Sequence, residues 1–440
     1  MNVQIRNINN IFFIFALSHL IIWTLVPSFT NKNLPLDTIE ALAWGSNLDW
    51  GFNKHPPMSA FFTEIFFQIF GANDWAYYLL SQIFVIIAFF YVFKFSNEIF
   101  KDKRFSLISV LLLESIFFYN FTTPEFNVNV CQLPFWSIVV YYSWKIYSSK
   151  SIEFRDCFLV GFFAALGFLS KYLFIYLLIS IGLLFIYLIF IKKIKKFDFK
   201  YLIILEVFIV LLVPHIIWLY NNEFISIFYG IKRTGFNETV IFDYFKNPFI
   251  FLFKQIGILT PFFILNFLLI KKINLRINLK DQKLIFLLFL NLIPILLMFL
   301  TSLITGSKIR TMWMTPFYLF FGVLVVYLFQ SQIKFKRFIS FTYGFLFLFF
   351  LSPMIYSYSS ITQTESRTDY PGREIAVKAQ LIWDKDFDKE IQFVIGNEWE
   401  AGNLSYHLKS RPRWEGFKNN KKLNNSSQFI CVDDICMGRY

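Results

Sequence analysis

Apolar runs of the length that crosses a bilayer, about 17 to 25 residues, follow one another along this chain with short polar breaks between them. They lie near residues 11–29, 76–94, 105–121, 129–144, 157–170, 172–191, 201–220, 249–270, 284–304, 312–330 and 338–356, which predicts about eleven membrane-spanning helices. The runs at 157–170 and 172–191 are separated only by Ser170-Lys171-Tyr172, so a tight, charged outer corner is expected there. A further apolar stretch from Met58 to Phe70 is too short to span and is expected to lie along the membrane surface. No small-residue cleavage site follows the first run, so it reads as a retained helix.

The polar breaks are not alike. Basic clusters at Lys94 to Arg104, Lys192 to Lys200, Lys271 to Lys283 and Lys334 to Arg337 fall on one side if the N-terminus with Arg6 is cytoplasmic, and the acid-bearing loops fall on the other. An odd number of spans then places the segment 357–440 outside. That segment changes character: Phe falls away and charged, Gly and Trp residues appear. Ile391 to Ile395 alternates as a strand would, and Tyr370 to Ile382 reads as a short helix, so a small α/β appendage is expected beyond a membrane domain at 1–356.

Composition narrows the class. Hydrophobic residues make up 56% of the 440, Phe alone numbers 62, and charged residues are only 16%, more apolar surface than a soluble core of this size buries. The net charge of +13 follows from the clustered loop charges, so topology, and no nucleic-acid partner, accounts for it. Among the four cysteines, Cys431 and Cys436 lie close in the outer tail and are candidates for a disulfide, while Cys131 and Cys157 sit in or beside spans as packing residues.

Candidate chemistry concentrates in the first outer loop, residues 30–75. Asp37 and Glu40 are three apart, which on a helix sets both carboxylates on one face, suited to general-base work or to a divalent cation. The same spacing also fits an N-cap at Asp37 with Glu40 as its capping-box partner. Lys54 and His55 can bind phosphate, and His55 with Glu40 could ligate a metal; Pro56-Pro57 fixes where the chain turns into the next helix. Elsewhere, Lys171 at a helix end, His215 within the seventh run, and Lys308 and Arg310 on a short outer loop against the usual charge bias are candidates for ligand contact. Structural pairing is expected for His19, Glu114 and Glu206, and surface or lid positions for His407 and Arg411 to Trp414.

The order Asp37-x-x-Glu40, Trp44-Gly45, Asp49-Trp50-Gly51-Phe52, Lys54-His55-Pro56-Pro57 resembles the first-loop signature of bacterial glycosyltransferases of the GT-C fold. It is most similar to family 39, the dolichyl-phosphate-mannose-protein mannosyltransferase-like group that includes the aminoarabinose and galactosamine transferases of lipid A. Phe121 to Asn129 with Pro134-Phe135-Trp136, Leu169 to Tyr172, Pro214-His215, Gly306 to Arg310 and Gly396 to Glu400 with Asn403 to Tyr406 are similar to further segments of that group. The resemblance implies an all-α polytopic GT-C protein with its active site facing the periplasm of the bacterial inner membrane, using a polyprenyl-phosphate-linked sugar donor. It implies Asp37 as base with Glu40 assisting or beside a cation, and Lys54, Lys171, Lys308 and Arg310 for the carrier phosphate. Many relatives carry an Asp in the second outer loop where this chain has Asn127 and Asn129, with Glu125 nearby as a partial substitute.

These readings converge on an inverting transferase that modifies lipid A or a related envelope glycolipid. Catalysis is expected from Asp37, Glu40 and Glu125, and substrate binding from Lys54, His55, Asn127, Asn129, Lys171, His215, Lys308 and Arg310. A divalent cation is permitted, not required. A protein O-glycosyltransferase and a transporter or flippase of lipid-linked sugars are the alternatives.

Overall fold

The computed structural model describes residues 5–192, 198–235, 239–270, 273–275, 277–416, 428–432 and 434–439. Its membrane part is built of α1 (Ile5–Thr30), α4 (Asp74–Ile99), α5 (Lys103–Leu111), α7 (Leu133–Ser148), α8 (Phe154–Ser170), α9 (Ile175–Lys192), α10 (Lys200–Asn221), α12 (Asp243–Phe267), α13 (Gln282–Thr305), α14 (Phe321–Phe329) and α15 (Phe338–Thr362). Between these lie α2 (Leu36–Gly45), α3 (Met58–Phe70), the short α6 (Val128–Cys131) and α11 (Ile225–Arg233). All eleven apolar runs are helical segments, but they are not equal. Among the described residues seven helices are long and apolar enough to cross a membrane, and an eighth span is the pair Thr311–Tyr318 and Phe321–Phe329, bent by 53°.

The other three are short for a physical reason. Helix α5 stops at Leu111 and continues as 3-10 turns at Leu112–Ser115 and Phe117–Tyr119. There Asn120 Nδ2 donates to the Glu114 carbonyl at 2.7 Å and the Tyr119 hydroxyl donates to the Thr315 carbonyl at 2.7 Å, so side chains replace helical partners. Gly322 of α14 lets that helix come against the α5 backbone, since a Cβ there would stand 2.3 Å from the Ser109 carbonyl oxygen. Helices α7 and α8, of 16 and 17 residues, pack on each other and on α4 and α10. Helix α4 lies at the centre of the bundle, with Tyr77, Leu80, Val85, Ala88, Phe89 and Val92 buried.

The outer faces of α10, α12 and α15 expose Val210, Ile217, Phe253, Ile256, Phe347 and Tyr343. A continuous apolar surface of this kind suits lipid and not water. Of the intramembrane polar residues, His19 Nδ1 meets Glu114 Oε2 at 3.0 Å with both side chains buried, the structural pairing expected for those two. Glu206 departs from expectation: it faces outward from α10, with no partner among the described residues.

The tail forms α16 (Gly372–Asp386), α17 (Glu400–His407) and a sheet of β1 (Phe393–Ile395), β2 (Arg413–Trp414), β3 (Gln428–Val432) and β4 (Ile435–Arg439) in the order β2-β1-β4-β3. Strands β1 and β2 are parallel and the other pairs antiparallel. Cys431 and Cys436 sit opposite each other across the β3–β4 hairpin and form a disulfide. The tail is not a separate body. Ala41, Ala43, Trp44 and Phe52 of the first loop share one apolar cluster with Trp383, Val394, Ala401, Leu404 and Trp414. His407 and the Arg411 to Trp414 run, expected at the surface, lie in this seam. His407 Nε2 bonds Asn33 Oδ1 at 3.1 Å, Arg411 donates to the Leu42 carbonyl at 2.7 Å and to Glu64 Oε2 at 2.8 Å, and Trp414 is buried. A strand residue and a paired cation serve a docked layer where isolated polar residues would be exposed.

Candidate active site

Helix α2 begins after Pro35, whose side chain makes no capping bond. Asp37 is therefore not the N-cap. It stands in the first turn, where the free N–H groups favour a carboxylate, and is half-buried. Its own backbone N–H donates to Glu125 Oε1 at 3.0 Å, and the neighbouring Thr38 hydroxyl donates to the Phe126 carbonyl at 3.2 Å. The first and second outer loops are thus stitched together at the acid, although 88 residues separate Asp37 from Glu125.

Burial raises the Asp37 carboxyl above its usual range, against the opposing fields of Lys171, Lys54, Arg233 and Arg310. Glu125 is pushed up to about 8, first by burial and then by the Asp37 charge, with hydrogen bonds from the Asp37 backbone and the Asn127 side chain working the other way. Lys171, Lys54, Arg233 and Arg310 oppose burial at Asp37, whereas the neighbouring charges of Asp37 and Glu40 add to burial at Glu125. Glu125, at about 8, therefore holds a proton at neutral pH, and the fields of the four cations favour the charged form of Asp37.

The flanking cations come from separate elements. Lys171, at the corner after α8, is buried and donates to Asn129 Oδ1 while lying over the Trp313 ring at 5.4 Å. Burial draws its ammonium down to about 7, with the Asp37 charge opposing. Lys54 Nζ lies 2.8 Å from Glu40 Oε1 and 3.3 Å from Glu398 Oε1. Glu40 is raised by burial, with the Lys54 charge and hydrogen bond opposing. Arg233 and Arg310 are exposed, Arg233 at the end of α11 and Arg310 on the loop after α13, where Lys308 is exposed too. The Lys308 backbone N–H donates to the Thr234 carbonyl at 3.1 Å, which joins these two loops.

His55 packs edge-on to Trp44 and to Tyr229 of α11, with ring centroids 5.9 and 6.1 Å apart. Burial, then the charges of Lys171, Lys54 and Arg233, hold it down to about 3, so it stays neutral and does not act as a phosphate-binding cation. Asn127 is spent on structure: its Oδ1 caps α6 by accepting from the N–H groups of Asn129 and Val130. His215 is likewise engaged. Its Nδ1 lies 2.6 Å from the Trp50 carbonyl and its Nε2 2.9 Å from the Tyr172 hydroxyl, which continues to Ser226 Oγ at 2.6 Å. This chain ties the first loop to α10, to the turn between α8 and α9, and to α11. Gly51 completes the contact, because a Cβ there would come 2.4 Å from the Trp218 ring.

Among the described residues no three His, Cys, Asp or Glu side chains converge as a metal site. The Glu40 carboxylate holds the Lys54 ammonium, and His55 faces aromatic rings, so the pair expected as metal ligands does not fit a cation. The geometry instead brings Asp37, Glu125, Lys54, Lys171, Arg233 and Arg310 to one end of the bundle, opposite the basic turns at Lys101 to Arg104 and Lys334 to Arg337. Arg233 escaped the sequence reading. The signal existed, since Lys232-Arg233 violates the charge bias of the outer loops as Lys308 and Arg310 do.

Comparison with known proteins agrees with this architecture. The crystal structure of ArnT from Cupriavidus metallidurans bound to undecaprenyl phosphate superposes with a TM-score of 0.59 at 13% identity, covering 91% of this chain and 85% of that one. The apo form of that protein gives 0.54 at 12% identity, over 91% and 84%. No curated protein matches the sequence. The chain is an all-α polytopic membrane protein of the GT-C fold. Residues 54–218 match the family model described as dolichyl-phosphate-mannose-protein mannosyltransferase.

Proposed function

We propose that the chain transfers a sugar from a polyprenyl-phosphate carrier to an acceptor at the membrane face opposite the basic clusters, the periplasmic face of a bacterial inner membrane. The reading is supported by Asp37, whose backbone N–H bonds Glu125 and which the fields of Lys171, Lys54, Arg233 and Arg310 reach at one end of the bundle. In this reading an acceptor hydroxyl gives its proton to Asp37 and attacks the anomeric carbon as the bond to the carrier phosphate breaks. The electron pair of that bond leaves on the phosphate, whose growing charge the flanking cations meet. A single displacement of this kind inverts the anomeric centre. The undecaprenyl phosphate bound to ArnT supports a polyprenyl-phosphate carrier.

The acceptor favoured is lipid A or a related envelope glycolipid, with protein hydroxyls as the second choice. A transporter of lipid-linked sugars would set its polar groups near the bilayer midplane in broken helices, and the convergence of charges at one end speaks for transfer. Mass spectrometry of lipid A and other glycolipids from cells carrying the intact protein, Asp37→Asn or neither tests this. A sugar-sized increment seen only with the intact protein is expected. Its persistence in Asp37→Asn removes the base assignment, and its absence throughout moves the acceptor to protein.

A further inference from the structure

The tail reaches into the site. Glu398 follows β1 in the turn that opens α17, and that turn is rigid: Asn397 Oδ1 accepts from the N–H groups of Trp399 at 3.0 Å and Glu400 at 2.9 Å. From there the Glu398 carboxylate crosses to the first loop, where Oε1 accepts from Asn53 Nδ2 at 2.7 Å and lies 3.3 Å from Lys54 Nζ. Glu40 grips the same ammonium from α2 at 2.8 Å. The side chains of Lys54, Glu40 and Glu398 are only 19%, 12% and 15% exposed.

Helix α17 is seated on α2 closely enough that a Cβ on Gly402 would stand 3.1 Å from both Ala43 Cβ and Ile39 Cγ2. The spacing between the two carboxylates is therefore set by packing and not by flexible side chains alone. We propose that Glu398 is a positioning residue of the transfer site: with Glu40 it fixes the Lys54 ammonium, so that the C-terminal appendage completes the site on which the first loop depends.

An isolated surface ion pair does little. This one differs because three mostly covered charges and the Asn53 amide form one network, and because Lys54 is among the cations whose field reaches Asp37. Burial works against the ammonium, but the Glu40 charge and hydrogen bond and then the Glu398 charge outweigh it and hold Lys54 above the ordinary lysine range. The role in transfer rests on the reading under Proposed function; the clamp on Lys54 does not.

Both parts are tested on the full-length protein in detergent with Glu398→Gln, Glu398→Asp, Lys54→Met and the Glu398→Gln/Lys54→Met double variant. The first readout is the acylation rate of Lys54 by an amine-reactive reagent at mildly alkaline pH, followed by peptide mass spectrometry. Glu398→Gln is expected to raise that rate about three-fold or more, because a lysine losing a carboxylate partner is more often neutral, and Glu398→Asp is expected to restore part of the protection. An unchanged rate in Glu398→Gln overturns the clamp. The second readout is transfer. Glu398→Gln is expected to raise the KM for the donor about ten-fold with a smaller change in kcat, and to add nothing in the Lys54→Met background. Additive losses in the double variant overturn the positioning role and leave Glu398 as a fold contact. Absence of transfer by the intact protein counts against the transferase reading, while the labelling result still decides the clamp.

Discussion

The backbone N–H of Asp37 donates to Glu125 Oε1 at 3.0 Å, which sets the two acids side by side. Burial lifts Glu125 to about 8, which keeps it protonated at neutral pH, while the fields of Lys171, Lys54, Arg233 and Arg310 favour the charged form of Asp37, so the proposed base is Asp37. Glu125→Gln keeps a neutral group with an acceptor oxygen, and it is expected to retain transfer within about ten-fold. Asp37→Asn is expected to lose on the order of 1000-fold in kcat, the scale of a lost general base. Steady-state rates of the two variants check this. The reverse ranking would make Glu125 the base.

Transfer should be bell-shaped in pH. On the acid side Asp37 must be ionised, and since its carboxyl is raised by burial, the rate falls with falling pH at values above the ordinary carboxylate range. On the alkaline side Lys171, drawn down to about 7, loses its charge as pH rises, so donor binding weakens. A guanidinium does not deprotonate in this range. Lys171→Arg is therefore expected to shift the alkaline limb upward while leaving the acid limb in place, as read from pH profiles of kcat/KM.

The latch between the first loop and α10 has no spare room. A Cβ at Gly51 would stand 2.4 Å from the Trp218 ring, whose neighbour His215 holds the Trp50 carbonyl. Gly51→Ala is expected to displace the loop that carries Lys54 and His55, lowering both the thermal midpoint and the rate. A second change, Trp218→Leu, should recover part of each. A Gly51→Ala protein that matches the parent in both measurements would show the contact to be unimportant.

The appendage is held by a covered charge pair. Arg411→Ala leaves the Glu64 carboxylate, 6% exposed, without its 2.8 Å partner, at a cost of about 3 kcal/mol for an uncompensated buried charge. Thermal unfolding should register this as a clear loss, and Glu64→Gln in the same protein should restore part of it by removing the stranded charge.

Much of this molecule was readable before its structure. Spans are legible because bilayer thickness imposes length and apolarity on every crossing segment, and all eleven runs became helical. Asp37, Lys54, Lys171 and Arg310 stand out in the sequence because an ionisable residue in a membrane-bound chain needs a reason to be there, and in the structure the charges of the three cations act on Asp37. What was hidden depends on contacts between distant residues. Nothing local marks Leu111 as the end of α5, since the Asn120 and Tyr119 bonds that replace its helical ladder are tertiary. The N-cap role of Asn127, the neutrality of His55 and the pairing of Lys54 with Glu398, 344 positions later in the chain (398 − 54), likewise arise only once the loops meet. A substrate role was expected for His215, yet both its ring nitrogens are occupied by the chain itself.

Transfer from the carrier is tested most directly by turnover of the purified protein in lipid nanodiscs. A polyprenyl-phosphate-sugar pool extracted from the bacterial envelope is supplied together with extracted lipid A, and release of free polyprenyl phosphate is followed by mass spectrometry alongside retention of the carrier on the protein. Acceptor-dependent release by the intact protein is expected, with carrier binding but no release by Asp37→Asn. Release by Asp37→Asn at the rate of the intact protein would contradict the assignment of Asp37 as base.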